Sequence, residues 1–342
     1  MRKSRIELLR IISMLMIVCL HYLSKGGALV SPAGELGLNG YLAWLVEAFC
    51  LVAVNVYVLI SGYFSSAGSA TVKKTQKLWT QVWFYSVVIG VVAFLFGQRY
   101  NVYELMQLLF PTVTEHYWFA TSFLLLSLIA PLLQLGAEKI DKKSFLWILV
   151  GFLLFSSVAK TILPMQLPWD KLGYDLIWFV TVYLTGMYLK KYGIPERMQN
   201  KNRMLFLYLI SELIIFISML LVRQIYLHTG KLEAFITYGY AYNYFFCYTG
   251  AIGFFLFFLQ GREPKESLQP VIHKLGGATF GVYLIHEHVT LRYVWPAWFQ
   301  CSTMIEKQPL LFIIHMIVTV FTVYLVCTAI ELLRQKIWSI RK

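Results

Sequence analysis

The chain is 342 residues long, 58% hydrophobic and only 14% charged, with a formal net charge of +13. An apolar excess spread over the whole length excludes a soluble globular domain. Repeated runs near 20 residues call for an all-α polytopic membrane protein, not a barrel of short alternating strands.

Ten membrane spans are predicted, at residues 6–25, 41–63, 78–97, 116–136, 144–163, 174–190, 204–226, 239–260, 276–295 and 309–333. With the N-terminus in the cytoplasm, 22 of the 30 Lys and Arg residues fall at inner ends and loops and 8 fall outside. The positive-inside rule thus accounts for the net charge without a nucleic-acid partner. Both termini are expected in the cytoplasm, the bilayer is the plasma membrane, and residues 1–342 form a single domain. Self-association into a homo-oligomer is left open.

The first span reads RIELLRIISMLMIVCLHYL. Arg2, Lys3 and Arg5 before an apolar core imitate a signal peptide, but Arg10 interrupts the core and no small-residue cleavage site follows, so cleavage is not expected. Arg10 and His21 are costly in a bilayer, and an ionisable group there is a functional hypothesis by default. Eleven helical steps of roughly 100° put the two on one face, about 16 Å apart along the axis, with Glu7 on nearly the same face. His21, in the outer third, is the best general-base candidate, because imidazole titrates near neutrality. The bland alternative is a histidine hydrogen-bonded to another helix.

Span two places Glu47 in the outer half and Asn55 nearer the middle. VKKTQKLW precedes span three and carries Lys73, Lys74 and Lys77. These lysines read either as a phosphate-binding patch or as topology-setting charge. His116 opens span four at the outer interface, and Pro131 lies inside that span, where a membrane helix tolerates it. Asp175 is placed to cap span six. Glu212 is mid-membrane in span seven, with Arg223 near its outer end. Span nine, GGATFGVYLIHEHVTLRYVW, brings His286, Glu287 and His288 to the outer half. Tyr283 and His286 are three apart and share a face, whereas His288 points nearly opposite. Glu47, His286 or Glu287 could orient His21. His228, His273 and His315 read as structural. Five cysteines without CxxC or Cys/His ligand spacing predict neither a disulfide framework nor a zinc site. No metal site is expected, and the sequence has no P-loop, HExxH or GxSxG motif.

Taken together these stretches resemble the acyltransferase 3 family of integral membrane acyltransferases over nearly the whole chain. Arg10, ten intervening residues and His21 are similar to its R-x10-H signature. VNVYVLISGYF, ending in Ser61, Gly62 and Tyr63, resembles its second-span signature. The family's cytoplasmic R-x-x-R pair is matched by Lys74 and Lys77, which keeps charge but loses the bidentate fork. HYWF at 116–119, WFVTVYLTGMYL at 178–189 and FGVYLIHEH at 280–288 resemble three further family segments, the last with His286 in the histidine position.

The resemblance implies a stand-alone O-acetyltransferase that holds no permanent cofactor. It uses acetyl-CoA or another acyl-CoA as donor, and a hydroxyl of an extracytoplasmic or lipid-linked sugar as acceptor. Lys73, Lys74, Lys77 and Arg10 would hold the donor, His21 would act as base or accept the acyl group, and His116 or Tyr283 would be a buried donor to the oxyanion. A proton-coupled transporter or flippase of a cell-envelope precursor is the alternative, disfavoured by the absence of a visible internal repeat.

Overall fold

The computed structural model describes residues 3–65, 72–114, 116–163, 165, 168 and 170–340; Arg2 lies outside them. The described residues form helices and connecting turns. They are α1 (Ser4–Ser24), α2 (Leu38–Tyr63), α3 (Val72–Leu95), α4 (Val102–Leu109), α5 (Trp118–Lys139), α6 (Lys142–Leu153), α7 (Ala159–Ile162), α8 (Leu176–Tyr192), α9 (Lys201–Thr229), α10 (Phe245–Leu259), α11 (Gln269–Gly276), α12 (Thr279–His286), α13 (Val294–Trp298) and α14 (Pro309–Ile340). A π-helical turn at Leu154–Val158 joins α6 to α7 without a break.

Among the described residues seven helices are long and apolar enough to cross a membrane: α1, α2, α3, α5, the joined α6–α7, α9 and α14. The three other expected spans appear as shorter helices. Residues 174–190 become α8, residues 239–260 become the 15-residue α10, and residues 276–295 become the eight-residue α12 followed by turns and α13. Pro131 lies within α5, which continues through it.

Local chemistry sets the boundaries. Asn101 and Glu104 cap α4 reciprocally, Asp141 takes the Lys143 and Ser144 amides at the start of α6, and Asp175 takes the Trp178 amide of α8 as expected. Asn200 caps α9, which ends on Gly230 in the left-handed conformation at φ 69°.

The apolar faces decide which helices lie inside. About two-thirds or more of the apolar windows of α1 and α2 are buried (67% and 72%), against 22% for α3. Helices α1 and α2 therefore form the centre, and α3 presents most of its surface outward. The backbones of α2 and α8 touch where Gly62 faces Tyr183 and Gly186 faces Leu59; a Cβ at Gly186 would sit 2.6 Å from the Leu59 carbonyl, and one at Gly62 would strike that of Tyr183. Small residues permit such close crossings. Gly62→Ala is expected to destabilise the protein by about 3 kcal/mol. Equal resistance of the variant and the parent to thermal unfolding in detergent would refute this contact.

The start of α1 and the end of α14 meet at one end of the bundle. Ser4 Oγ bonds His273 Nε2 at 2.7 Å, and Gln335 Nε2 donates to the Gly277 carbonyl at 3.3 Å. At the other end, Arg223 donates to the carbonyls of Pro32 and Gly34, tying α9 to the loop before α2. A buried ion pair joins Lys160 to Asp170 at 2.8 Å, and Asn243 also donates to Asp170.

Candidate active site

Helix α1 carries Arg10 and His21 into one cavity of about 300 Å³. Tyr57 of α2, Gln81 of α3, Phe119 of α5 and Tyr283 of α12 complete much of its wall. Three full turns of one helix thus span the cavity, with a cation at one end and an imidazole at the other.

The proton positions around His21 follow from the hydrogen-bond network. His286 Nδ1 lies 2.6 Å from the carbonyl oxygen of Val282, which can only accept. In a neutral ring Nε2 of His286 is then bare. It faces His21 Nδ1 at 2.9 Å, so His21 Nδ1 carries the hydrogen and donates it. The lone pair of His21 is left on Nε2, on a side chain that is 15% exposed and lines the cavity. Glu287 Oε2 sits 3.2 Å from the same Nδ1, buried, and takes no hydrogen bond. The N–H is aimed at His286, and the carboxylate waits beside it.

Arg292, which the sequence did not single out, adds a cation. Its Nη1 is 3.5 Å from Glu287 Oε1, its Nε is buried without a hydrogen-bond partner, and its guanidinium lies 5.7 Å from the Tyr293 ring centre. Lys25 reaches the same ring at 5.4 Å. A basic residue four positions after the HEH triplet was the available signal.

His116 and His288 serve a neighbouring network. His116 Nε2 accepts the Val289 amide at 2.9 Å, and its Nδ1 faces the Gln107 carbonyl and Ser86 Oγ, each at 3.2 Å. His288 Nε2 bonds the Ser86 carbonyl at 3.0 Å, directed away from His21. Both nitrogens of His116 are engaged, which fixes the turn that presents His286 and Glu287. Glu47 lies outside the wall of the His21 cavity, with one buried carboxylate oxygen lacking a hydrogen bond, and both oxygens of Glu212 are buried in the same condition.

At the other end Arg10 donates to Glu7 at 2.7 Å, and its carbonyl accepts from the Tyr57 hydroxyl at 2.6 Å. A second cavity of about 400 Å³ shares Arg10, Ser61, Leu78 and Phe123 with the first and adds Lys74. Lys77 lines a third, of about 620 Å³, with Lys274 and Arg334; this one shares Gln81, Gly277 and Phe280 with the His21 cavity. Lys73 is exposed beside them. The His21 cavity therefore shares walls with two basic-lined cavities at the end where α1 begins. Arg334 is held by Glu331 through two short bonds, and Glu331 also takes the Tyr85 hydroxyl.

All five cysteines are free and buried, and no cluster of potential metal ligands occurs among the described residues. His273 pairs with Ser4, and His315 with Tyr22 at 2.8 Å, so both tie helices together.

No curated protein and no solved structure matches the chain. A family model described as an acyltransferase domain matches residues 3–331, almost from end to end. A helical membrane bundle with that match identifies the chain as a member of the acyltransferase 3 family of membrane acyltransferases.

Proposed function

We propose that the protein is an acyl-CoA-dependent O-acyltransferase of the plasma membrane. It moves acetyl from cytoplasmic acetyl-CoA to a hydroxyl of an extracytoplasmic or lipid-linked polysaccharide. The observation that carries this reading is the bare Nε2 of His21, backed by His286, on a side chain that lines a cavity adjoining basic-lined ones. A fixed tautomer with its lone pair in a cavity is what a general base requires.

The donor enters at the end carrying Arg10, Lys74 and Lys77. Its phosphates stay with the lysines and the thioester rises past Arg10 toward His21. The topology supports this direction. The start of α1 and the end of α14 lie at one end of the bundle, which supports an even number of crossings. The positive-inside count supports placing that end in the cytoplasm.

Release of free thiol from acetyl-CoA by membranes that contain the protein and its native glycan tests the reading. Absence of release above membranes lacking the protein overturns it. Lys74→Ala combined with Lys77→Ala should raise the donor KM about tenfold, at roughly 0.7 kcal/mol for each exposed charge, with kcat nearly unchanged. An unchanged donor KM would return both lysines to a purely topological role.

A further inference from the structure

Acyl transfer to a hydroxyl places a negative charge on the former carbonyl oxygen, and something must receive it. We propose that the Tyr283 hydroxyl and the amino-terminal turn of α5 form that oxyanion site; the assignment rests on the acyl-transfer reading above.

Tyr283 lines the same cavity as His21 and is only 4% exposed, yet its hydroxyl is a buried group with no hydrogen-bond partner among the described residues. A buried hydroxyl left unpaired costs free energy, and natural proteins keep few of them. Its ring cannot swing away to find a partner. It is packed by Phe119 at 5.7 Å, Tyr117 at 5.9 Å and Phe280 at 6.1 Å between ring centres.

The first turn of α5 lies beside this ring: Trp118 and Phe119 line the same cavity, and Phe119 packs on Tyr283. The first amides of a helix have no acceptor within it, and Tyr117 at the cap position supplies no side-chain acceptor. This end of α5 is therefore a patch of positive potential turned toward the cavity. Two contacts hold it against α12. Tyr117 donates its hydroxyl to the Leu284 carbonyl at 2.8 Å, and His116 receives the Val289 amide. His116 itself has no free N–H to offer, which leaves Tyr283 as the donor.

The step balances as follows. His21 Nε2 takes the proton of the acceptor hydroxyl, and the oxygen attacks the thioester carbon. The carbonyl electron pair moves onto oxygen, where the Tyr283 O–H and the α5 dipole receive it. The pair then re-forms the carbonyl, the carbon–sulfur bond breaks, and the leaving thiolate takes the proton from His21. The products are the ester and free CoA thiol.

Tyr283→Phe removes one oxygen atom and keeps the ring packing. In membranes carrying the native glycan, the expected result is a fall in kcat for thiol release from acetyl-CoA of about 100-fold or more, with donor KM unchanged. CoA binding to the purified variant and its melting temperature should match those of the parent. Near-parental kcat in Tyr283→Phe overturns the inference, and so does a loss confined to CoA binding or donor KM. If the parent releases no thiol, the acyl-transfer reading itself has failed; if the parent is active and the variant equals it, only the oxyanion site has.

Discussion

His21→Ala is expected to abolish acyl transfer while leaving the protein folded. A positioned general base contributes about 10² to 10⁴ in rate, and among the described residues no other His, Asp or Glu lines the cavity. His286 has its Nδ1 committed to the Val282 carbonyl, and its Nε2 lies 2.9 Å from the ring that would be removed. His116 and His288 are held in the neighbouring turn network, with His288 bonded to Ser86. The substitution removes a partly exposed side chain, so the bundle should keep its melting temperature. Thiol release from acetyl-CoA and the O-acetyl signal of the cell glycan should fall together. His21→Ala with parental activity in both would eliminate the mechanism proposed for this site.

The face of α1 was legible from spacing alone, because eleven residues are close to three whole helical turns. Which helix meets that face was not, and Glu47, His286 and Glu287 remained equal candidates to orient His21. Tertiary packing chose His286 and Glu287 and set Glu47 apart. The break in span nine was hidden for a different reason. An apolar run reads alike whether its helix continues or stops, and α12 stops where side chains replace helical acceptors. Val289 N–H goes to His116 and Thr290 N–H to His288 Nδ1. That stop is functional in its effect, since it turns Glu287 back beside His21. Tyr283 and His286 were legible as one face by their three-residue spacing, but the surroundings of the Tyr283 hydroxyl exist only in three dimensions. Arg292 was not singled out by the sequence, because only packing brings it beside Glu287.

The largest non-additive effect should come from His286 and Glu287. Either can accept the His21 Nδ1–H: His286 Nε2 does so at 2.9 Å, and Glu287 Oε2 stands 3.2 Å away with no hydrogen bond of its own. His286→Phe keeps a ring beside Tyr283 and Trp295 and hands the N–H to Glu287. Glu287→Gln keeps the shape and leaves the histidine as acceptor. Each change alone should lower kcat about tenfold, because one acceptor still fixes the tautomer. With both made, only a carboxamide that can donate as well as accept stands beside Nδ1, and the ring can present N–H instead of a lone pair to the cavity. Loss of the productive tautomer is worth about 10⁴ in kcat where an orienting carboxylate is neutralised in a hydrolase triad, and a fall of that order is expected here. The double variant should therefore lose far more than the product of the single losses. Donor KM should stay put in all three, since neither residue lines the basic cavities. Losses that simply multiply would mean that the two residues act independently and that His21 is oriented by something else.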